Sequence, residues 1–574
     1  MPIHNSDIAD IFNQTADLLE IRGENPFRIR AYRNAARTIQ SLSKNVSQLL
    51  SEDGDLTKYP GIGKDLAGKI EELVRTGSFK LLTKLKKQVP EELSELMNIS
   101  GLGAKRVAKI YRELDISSLD QLKQALDTGK IRDLEGFGKK TEQNIRDEIE
   151  RLEKEPAKRN KLAIAEEIAQ PLIEYLKKAK GIKEVSLAGS FRRRKETVRD
   201  LDILVTCKRG SNIMDHFTSY EDVQKVVSKG RTKSTILLRS NFQVDVRVVQ
   251  QVSYGSALIY FTGSKQHNIA IRKIGINKKY KLNEYGVFKD KKKVAGKTES
   301  EVYKKIGLKF IEPELRENRG EIEAAQKDKL PQLIKLDDIK GDLHVHSRYT
   351  DGRNTIEEMA QAAKRKGYEY IAITDHSKHV TVAGGLKPKD VRKQLEEIDK
   401  INKKLQGITI LKGTEVDILE DGSLDLPDEI LKELDLRICA IHYKFNLSKE
   451  KQTERIIRAM DNPYFNILAH PTGRLINERK PYDIDMERVL KASKDKGCLL
   501  ELNAHPDRLD LDDIHCKMAK DMGLKVVIST DGHQIDHLNY MRFGIGQARR
   551  GWLKPDDVAN TRSVAKLKRL LNRG

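Results

Sequence analysis

Seven short apolar runs, GDLHVH, YEYIAIT, ITILKGTE, LRICAIH, FNILAH, CLLELN and KVVIST, recur at helix-sized intervals from about residue 338 to the end of the chain. Runs of this kind separated by amphipathic segments predict parallel βα units, and a closed barrel gathers the C-terminal ends of its strands into one mouth. The side chains at those ends restrict the fold further. His344 and His346 end the first run, Asp375 and His376 the second, Glu415 the third, His442 the fourth, His470 the fifth, and Asp531 with His533 the seventh. His-x-His on a strand sends both imidazoles to one face, because side chains alternate with period two. Asp351, in YTDG, follows the first run closely enough to reach the same cluster. Imidazoles mixed with carboxylates suit Zn2+, Mn2+ or Fe2+, and a central carboxylate such as Glu415 is what a multinuclear centre needs as a bridge. Of the 13 histidines only His4, His216 and His267 lie outside this region. His379, His505, His515 and His537 fall off the strand-end pattern and read as structural or surface residues.

A chain of 574 residues is too long for one core and predicts roughly three or four folding units. Residues 1–155 are expected to be all-helical, with apolar positions at i, i+3 and i+4 in IADIFNQTADLLEI and AGKIEELVRT. Strand-like runs in KEVSLAG, LDILVTC and FQVDVRVV predict an α/β unit over about 156–265, followed by a small mixed region to 318. The polar, lysine- and glutamate-rich stretch at 319–337 reads as an exposed linker. The expected boundaries are therefore 1–88, 89–155, 156–265, 266–318, 319–337 and 338–574. No run of about 18 apolar residues occurs, so no membrane role is expected, and MPIHNSDIADIF lacks the features of an export signal, which points to the cytoplasm. Cys207, Cys439, Cys498 and Cys516 form no CxxC pair, which argues against a disulfide framework or zinc knuckle. A formal charge of +21 calls for a polyanionic partner, with nucleic acid favoured.

The middle region carries LAGSFRRRKETVRDLDILV and, about 45 residues later, FQVDVRVV. Asp200 and Asp202 are i, i+2 on a strand and point to one side, where Asp245 on a neighbouring strand can join them. Three carboxylates on a sheet can hold two Mg2+ (or Mn2+) ions, one for a primer 3′-hydroxyl and one for a triphosphate. Gly189 and Ser190 permit close backbone approach to phosphates, and Arg193 can neutralise developing charge.

Three segments, PGIGKDLAGKI, SGLGAKRVAKI and EGFGKKTEQNI, share G-x-G before a helix with early lysines. They resemble helix-hairpin-helix elements, in which glycines (Gly61 and Gly63, Gly101 and Gly103, Gly136 and Gly138) let backbone N–H groups and a helix N-terminus face a phosphate. The result is sequence-independent DNA binding.

The motifs DLHVHSRYTDG, ITDHS, GTEVDI, AIHY, LAHP and STDGH resemble those of the polymerase-and-histidinol-phosphatase (PHP) family across the whole last domain. The resemblance implies a distorted seven-stranded (β/α)7 barrel that hydrolyses phosphoesters. It also implies a trinuclear ligand set at His344, His346, Asp351, His376, Glu415, His442, His470, Asp531 and His533. The middle region is similar to the nucleotidyltransferase palm of DNA polymerase family X, the polymerase beta type, and the likeness runs on through LIYFTGSKQHNIAIRKIGINKKYKLNEYGVF. It places the sugar-packing role on Tyr260, Phe261 and Gly263, minor-groove positions on Asn268 and Arg272, and a triphosphate contact on Arg159. Lys265 departs from the family's aspartate near the nucleotide base. The N-terminal unit resembles that family's lyase domain, with Lys69 at the Schiff-base position, Tyr32 at its tyrosine and Arg28 for a phosphate-contacting lysine, while Asp65 replaces a neighbouring lysine.

Taken together these implications describe a multidomain DNA-directed DNA polymerase that fills short gaps during base excision repair. Helical helix-hairpin-helix domains would lead into an α/β palm and a small thumb. The barrel, with three divalent metals, would act as a 3′–5′ exonuclease or trim blocked 3′ ends, with apurinic-site cleavage compatible. The expected partners are gapped or primer-template DNA and deoxynucleoside triphosphates, bound by a nucleoid-associated monomer. Two other readings remain open: a barrel that hydrolyses pyrophosphate or a small phosphate ester, and a protein that acts mainly as a gap-binding scaffold.

Overall fold

The computed structural model describes residues 5–572, other than 41, 43–45, 52–53, 90–92, 98, 100–101 and 155–158. The chain divides into two compact units, Met1–Lys158 and Arg159–Gly574. No helix of the described residues is long and apolar enough to cross a membrane.

The first unit is helical, as the apolar periodicity demands. Asn5–Ile21 and Pro26–Gln40 form its first hairpin, and Phe12, Tyr32 and Phe79 meet in its core, with ring centroids 5.3 and 5.7 Å from Phe12. One turn geometry recurs three times: Ile62 N–H donates to the Tyr59 carbonyl, Leu102 to Ile99 and Phe137 to Leu134. Gly61 and Gly136 occupy the left-handed position of their turns, with φ of +85° and +86°, which only glycine adopts without strain. The apolar residue between the two glycines of each motif, Ile62, Leu102 or Phe137, is buried. It pins the turn to the core, and the next glycine then starts a helix.

In the second unit a five-stranded sheet runs in the order Ile182–Leu187, Asp200–Cys207, Gln243–Val248, Lys233–Leu238, Val223–Lys229. A small subdomain follows, built from helix Lys265–Asn277 and the antiparallel strands Lys281–Asn283, Gly286–Lys289 and Lys292–Ala295. The last region is a seven-stranded parallel sheet whose spatial order is its chain order: Gly341–Val345, Tyr370–Ile373, Thr409–Asp417, Leu436–Ala440, Ile467–Leu468, Leu499–Asn503 and Val526–Ser529. All seven expected runs are strands. The barrel closes where His346 N–H donates to the Gly532 carbonyl (2.9 Å) and Gly532 N–H to the His344 carbonyl (3.2 Å).

Two features differ from the sequence reading. Residues 319–337 are not an exposed linker: helix Glu321–Gln326 buries Glu321, Ile322 and Ala325, and Leu333 and Ile334 are buried beyond it. Its polar composition hides an apolar stripe, with Glu321 satisfied internally. The barrel and the five-stranded sheet also share a core, since Ile476, Leu509 and Phe543 pack among the palm residues. Ion pairs flank this seam: Arg474 to Glu196 (2.6 Å), Lys161 to both Glu478 and Asp507 (2.6 Å each), and Arg549 to Glu314 (2.8 Å).

Candidate metal centre and nucleotide site

The barrel mouth brings together all nine expected donors. Glu415 lies at the middle: one of its oxygens is 2.9 Å from His376 Nδ1 and 3.4 Å from His344 Nε2, the other 3.0 Å from His470 Nε2 and 3.2 Å from His442 Nε2. Asp531 is 3.2 Å from His346 Nε2, and Asp351 is 3.3 Å from His533 Nε2 and 3.5 Å from His376 Nε2. Three sets place their donor atoms within 4.8 Å of one another: His346, Asp351, His376 and His533; His344, His346 and Asp531; and His376, Glu415 and His442. Two ligands on one tetrahedral ion, with bonds of about 2.0–2.1 Å, stand about 3.3 Å apart, so these separations match ligands sharing an ion.

The chemistry of the set agrees. His344 Nε2, both ring nitrogens of His346, and His376 Nδ1 are buried with carboxylate oxygens near but no well-aligned hydrogen bond among the described residues, a cost that a cation would remove. Burial disfavours the imidazolium, yet Glu415 and Asp351 push His376 up to about 10, and Glu415 with Asp417 pushes His442 up to about 9. His346, buried beside His533 and His376, falls to about 3. Against their own burial, Glu415 and Asp531 are held well below the usual carboxylate range by the surrounding imidazoles. The carboxylates thus draw positive charge to the centre, and protons fill that role poorly because the imidazoles repel one another once charged.

Four buried carboxylates support the donors, and composition did not mark three of them. Glu501 accepts from His344 Nδ1 (2.7 Å) and Asp417 from His442 Nδ1 (2.6 Å), turning each Nε2 inward. Asp342 accepts from Thr530 and ties the first strand to the seventh. Asp375, grouped with the strand-end donors by sequence, is not at the centre. Its oxygens accept from Ser347 N–H (2.8 Å), Ser347 Oγ (2.5 Å), Thr350 and Gln394 (2.6 Å), fixing the loop that leads to Asp351.

In the palm, Asp202 and Asp245 are register partners on parallel strands, with Asp200 two residues before Asp202. Burial, then Asp200 and Asp245, pushes Asp202 up to about 6, and burial with Asp245 raises Asp200. Gly189 has φ of +62°, and a Cβ there would stand 2.5 Å from Asp202 Oδ2. Only glycine fits beside the acid. Asp245 is also engaged by Thr235 Oγ1 (2.5 Å) and Lys233 Nζ (3.2 Å). Ser190 sits in the short helix Gly189–Arg192. Arg193 is 3.0 Å from Glu317 and donates to the Thr262 carbonyl, beneath Gly263. Tyr260 and Phe261 meet edge to face, covered by Arg272 and Arg247 respectively, and Asn268 donates to the Tyr260 carbonyl (2.7 Å). Arg159 binds Thr197 through its Nε (2.9 Å) and a terminal nitrogen (2.7 Å), and Lys265 is exposed at its helix start.

In the first unit Gly63 and Gly103 are the N-terminal caps of helices Lys64–Thr76 and Ala104–Leu114, and Gly138 precedes Lys139–Lys154. A Cβ at any of the three would meet nothing within 4 Å, so their backbones are open to a ligand. Gly101 lies outside the described residues. Lys69 forms an ion pair with Asp65, and its amine lies 5.9 Å from the Tyr32 ring centre. Arg28 is 3.4 Å from Glu24.

Comparison with known proteins agrees with this layout. Family models match for a helix-hairpin-helix domain at 3–79, a SAM-like helix-hairpin-helix tandem at 93–151, a DNA polymerase beta thumb at 257–317 and a PHP domain at 342–505. The chain is 38% identical over 575 residues, 100% of both chains, to a Bacillus subtilis protein named DNA polymerase/3′-5′ exonuclease PolX. It is 34% identical over 242 residues to a probable phosphatase of a Thermoanaerobacter species, covering 40% of this chain and 93% of that protein. A probable phosphatase of Acetivibrio thermocellus is 32% identical over 202 residues, 33% of this chain and 78% of its own.

Proposed function

The chain belongs to the branch of DNA polymerase family X that carries a C-terminal PHP domain, and on that premise we propose that it fills short DNA gaps. It would extend a primer in the palm and remove or trim 3′ ends in the barrel. The observation that carries this reading is the pairing of two separate acid-rich sites in one compact unit, one on an open sheet and one in a barrel mouth.

At the palm, Asp200, Asp202 and Asp245 would hold Mg2+ or Mn2+. When bound, such ions supply Lewis-acid activation and charge neutralisation. Gly189 and Ser190 offer backbone close to the triphosphate, with Arg193 and Arg159 facing its charge. Tyr260, Phe261 and Gly263 would pack on the sugar, and Asn268 and Arg272 would contact the minor groove. At the barrel the nine donors would hold three ions drawn from Zn2+, Mn2+ and Fe2+, oriented through Glu501 and Asp417. The glycine-capped helices would take DNA phosphates. Lys69 would meet the 5′ side of the gap, where Schiff-base chemistry requires its amine to leave Asp65.

We divide the chain for these roles at 1–88, 89–155, 156–265, 266–318 and 338–574, and read it as a cytoplasmic, nucleoid-associated monomer. The likeness of the barrel to free-standing probable phosphatases favours a second reading, hydrolysis of a small phosphate ester.

One assay separates these readings: a labelled gapped duplex with and without nucleotides, in Mg2+ and in Mn2+. The double variant Asp200→Ala, Asp202→Ala is expected to lose extension and keep degradation. His344→Ala with His346→Ala is expected to do the reverse. Persistent extension in the first refutes the palm assignment, and a barrel that cleaves a chromogenic phosphate monoester but leaves the 3′ end intact favours the second reading.

A further inference from the structure

A barrel residue holds the backbone carbonyl of the arginine assigned above to the triphosphate, and shares the carboxylate that binds its side chain. Arg193 Nε donates to Glu317 Oε1 at 3.0 Å, and a terminal nitrogen donates to the Thr262 carbonyl. The same oxygen of Glu317 accepts from a terminal nitrogen of Arg550 at 2.9 Å, and that nitrogen also donates to the Arg193 carbonyl at 2.8 Å. The other end of the Arg550 guanidinium binds Asp513 at 2.6 Å, which Arg319 approaches at 2.9 Å.

Arg550 ends helix Met541–Arg550 of the barrel, and its side chain is 3% exposed. Gly546 in that helix lets the two domains close: a Cβ there would lie only 3.2 Å from Arg194 Cβ. Burial alone would raise Glu317, but Arg550, Arg193 and Lys195 hold it ionised and well below the usual range. Its charge is thus divided between guanidiniums from two domains. Were Arg550 absent, Arg193 would be the one guanidinium at hydrogen-bond distance from Glu317 among the described contacts. A carboxylate confined to a single buried partner competes directly with any anion that partner must bind.

We propose that Arg550, supplied by the barrel domain, is a positioning residue for nucleotide addition: by sharing Glu317 and holding the Arg193 carbonyl it loosens the grip of Glu317 on the Arg193 guanidinium, which an incoming triphosphate must displace. The inference rests on the reading of Arg193 as a triphosphate contact. It makes the barrel part of the polymerase site without sharing its chemistry.

The test is steady-state primer extension by the full-length protein, with thermal melting of each variant. Arg550→Gln is expected to raise the nucleotide KM about tenfold while kcat stays within about twofold. Adding Glu317→Gln should return KM to within about threefold of the parent, because the competing carboxylate is gone. A purely structural role gives no such rescue. Unchanged KM in folded Arg550→Gln overturns the proposal, as does a double variant worse than the single. If Arg550→Gln does not fold, Arg550→Lys, which keeps the charge but not the forked contacts, must raise KM for the proposal to stand. Arg193→Gln separates the two levels: if it leaves KM unchanged the triphosphate reading itself fails, and if it raises KM while Arg550→Gln does not, only the present inference fails.

Discussion

Glu501 is buried in the barrel and accepts from His344 Nδ1 (2.7 Å), Ser529 Oγ (2.5 Å) and the His470 backbone N–H (2.6 Å). One carboxylate therefore orients two donors of the centre. Glu501→Gln keeps its volume but loses the charge that fixes the His344 tautomer, and metal affinity should fall about 10- to 100-fold. Metal content after dialysis against graded chelator, by mass spectrometry of the ions, checks this; full retention refutes the support role. Period-two alternation and strand ends placed His344, His346, His376, Glu415, His442, His470, Asp531 and His533 at one mouth, whereas Asp351 sits in a loop and its place in the nine-residue set came from the family resemblance. Glu501 was visible as a lone acid in CLLELN, but nothing local distinguishes a support from a ligand. Gly189 was legible as a close-approach residue, although its neighbour proved to be Asp202 itself. The Glu317 contact to Arg193 left no signal, since the two are 124 residues apart.

Helix Lys265–Asn277 shows what an element can hide. Ser264 caps it by accepting from His267 N–H, and His267 is buried between Glu321 (2.7 Å) and the Tyr303 hydroxyl (2.8 Å). Burial, the largest influence, lowers His267 despite Glu321, so it folds neutral. The unfolded chain then takes up a proton that the folded one refuses, and stability is present above the unfolded value of about 6.5 and lost as pH falls below it. His267→Gln should flatten the dependence of the melting temperature between pH 7 and 5; an unchanged slope refutes it. By sequence this histidine was simply outside the barrel pattern. Strand Val223–Lys229 was missed for a different reason: it is almost wholly exposed, so no apolar alternation marks it, and it covers Lys233–Leu238 at the sheet edge. The three glycine turns were legible because G-x-G brackets the apolar residue that is buried in each, and at Gly61 and Gly136 the first glycine takes the left-handed position.

At the scale of the molecule, palm, thumb and barrel fall in one compact unit, within which palm and barrel share a core. Metal bound at the barrel mouth should therefore stabilise the palm as well, by about 2.7 kcal/mol at a hundredfold excess over Kd. Scanning calorimetry with ions and with chelator should show the transition of this unit moving as a whole, and should show no movement in His344→Ala with His346→Ala. Two separate transitions, only one of them metal-sensitive, would refute this. Domain order was legible from the change of periodicity along the chain, but the seam was not, because Ile476, Leu509 and Phe543 look like barrel residues. The seam has one more consequence. Arg474 and Glu478 follow His470 within eight residues, and Asp507 and Leu509 follow Asn503 within six, so the loops that rim the mouth are also the loops that grip the palm. A free-standing barrel can lengthen or shorten such loops as it diverges toward new substrates. In this chain every insertion there must satisfy two fittings at once, so evolution is expected to leave these loop lengths fixed while the helices on the outer wall drift.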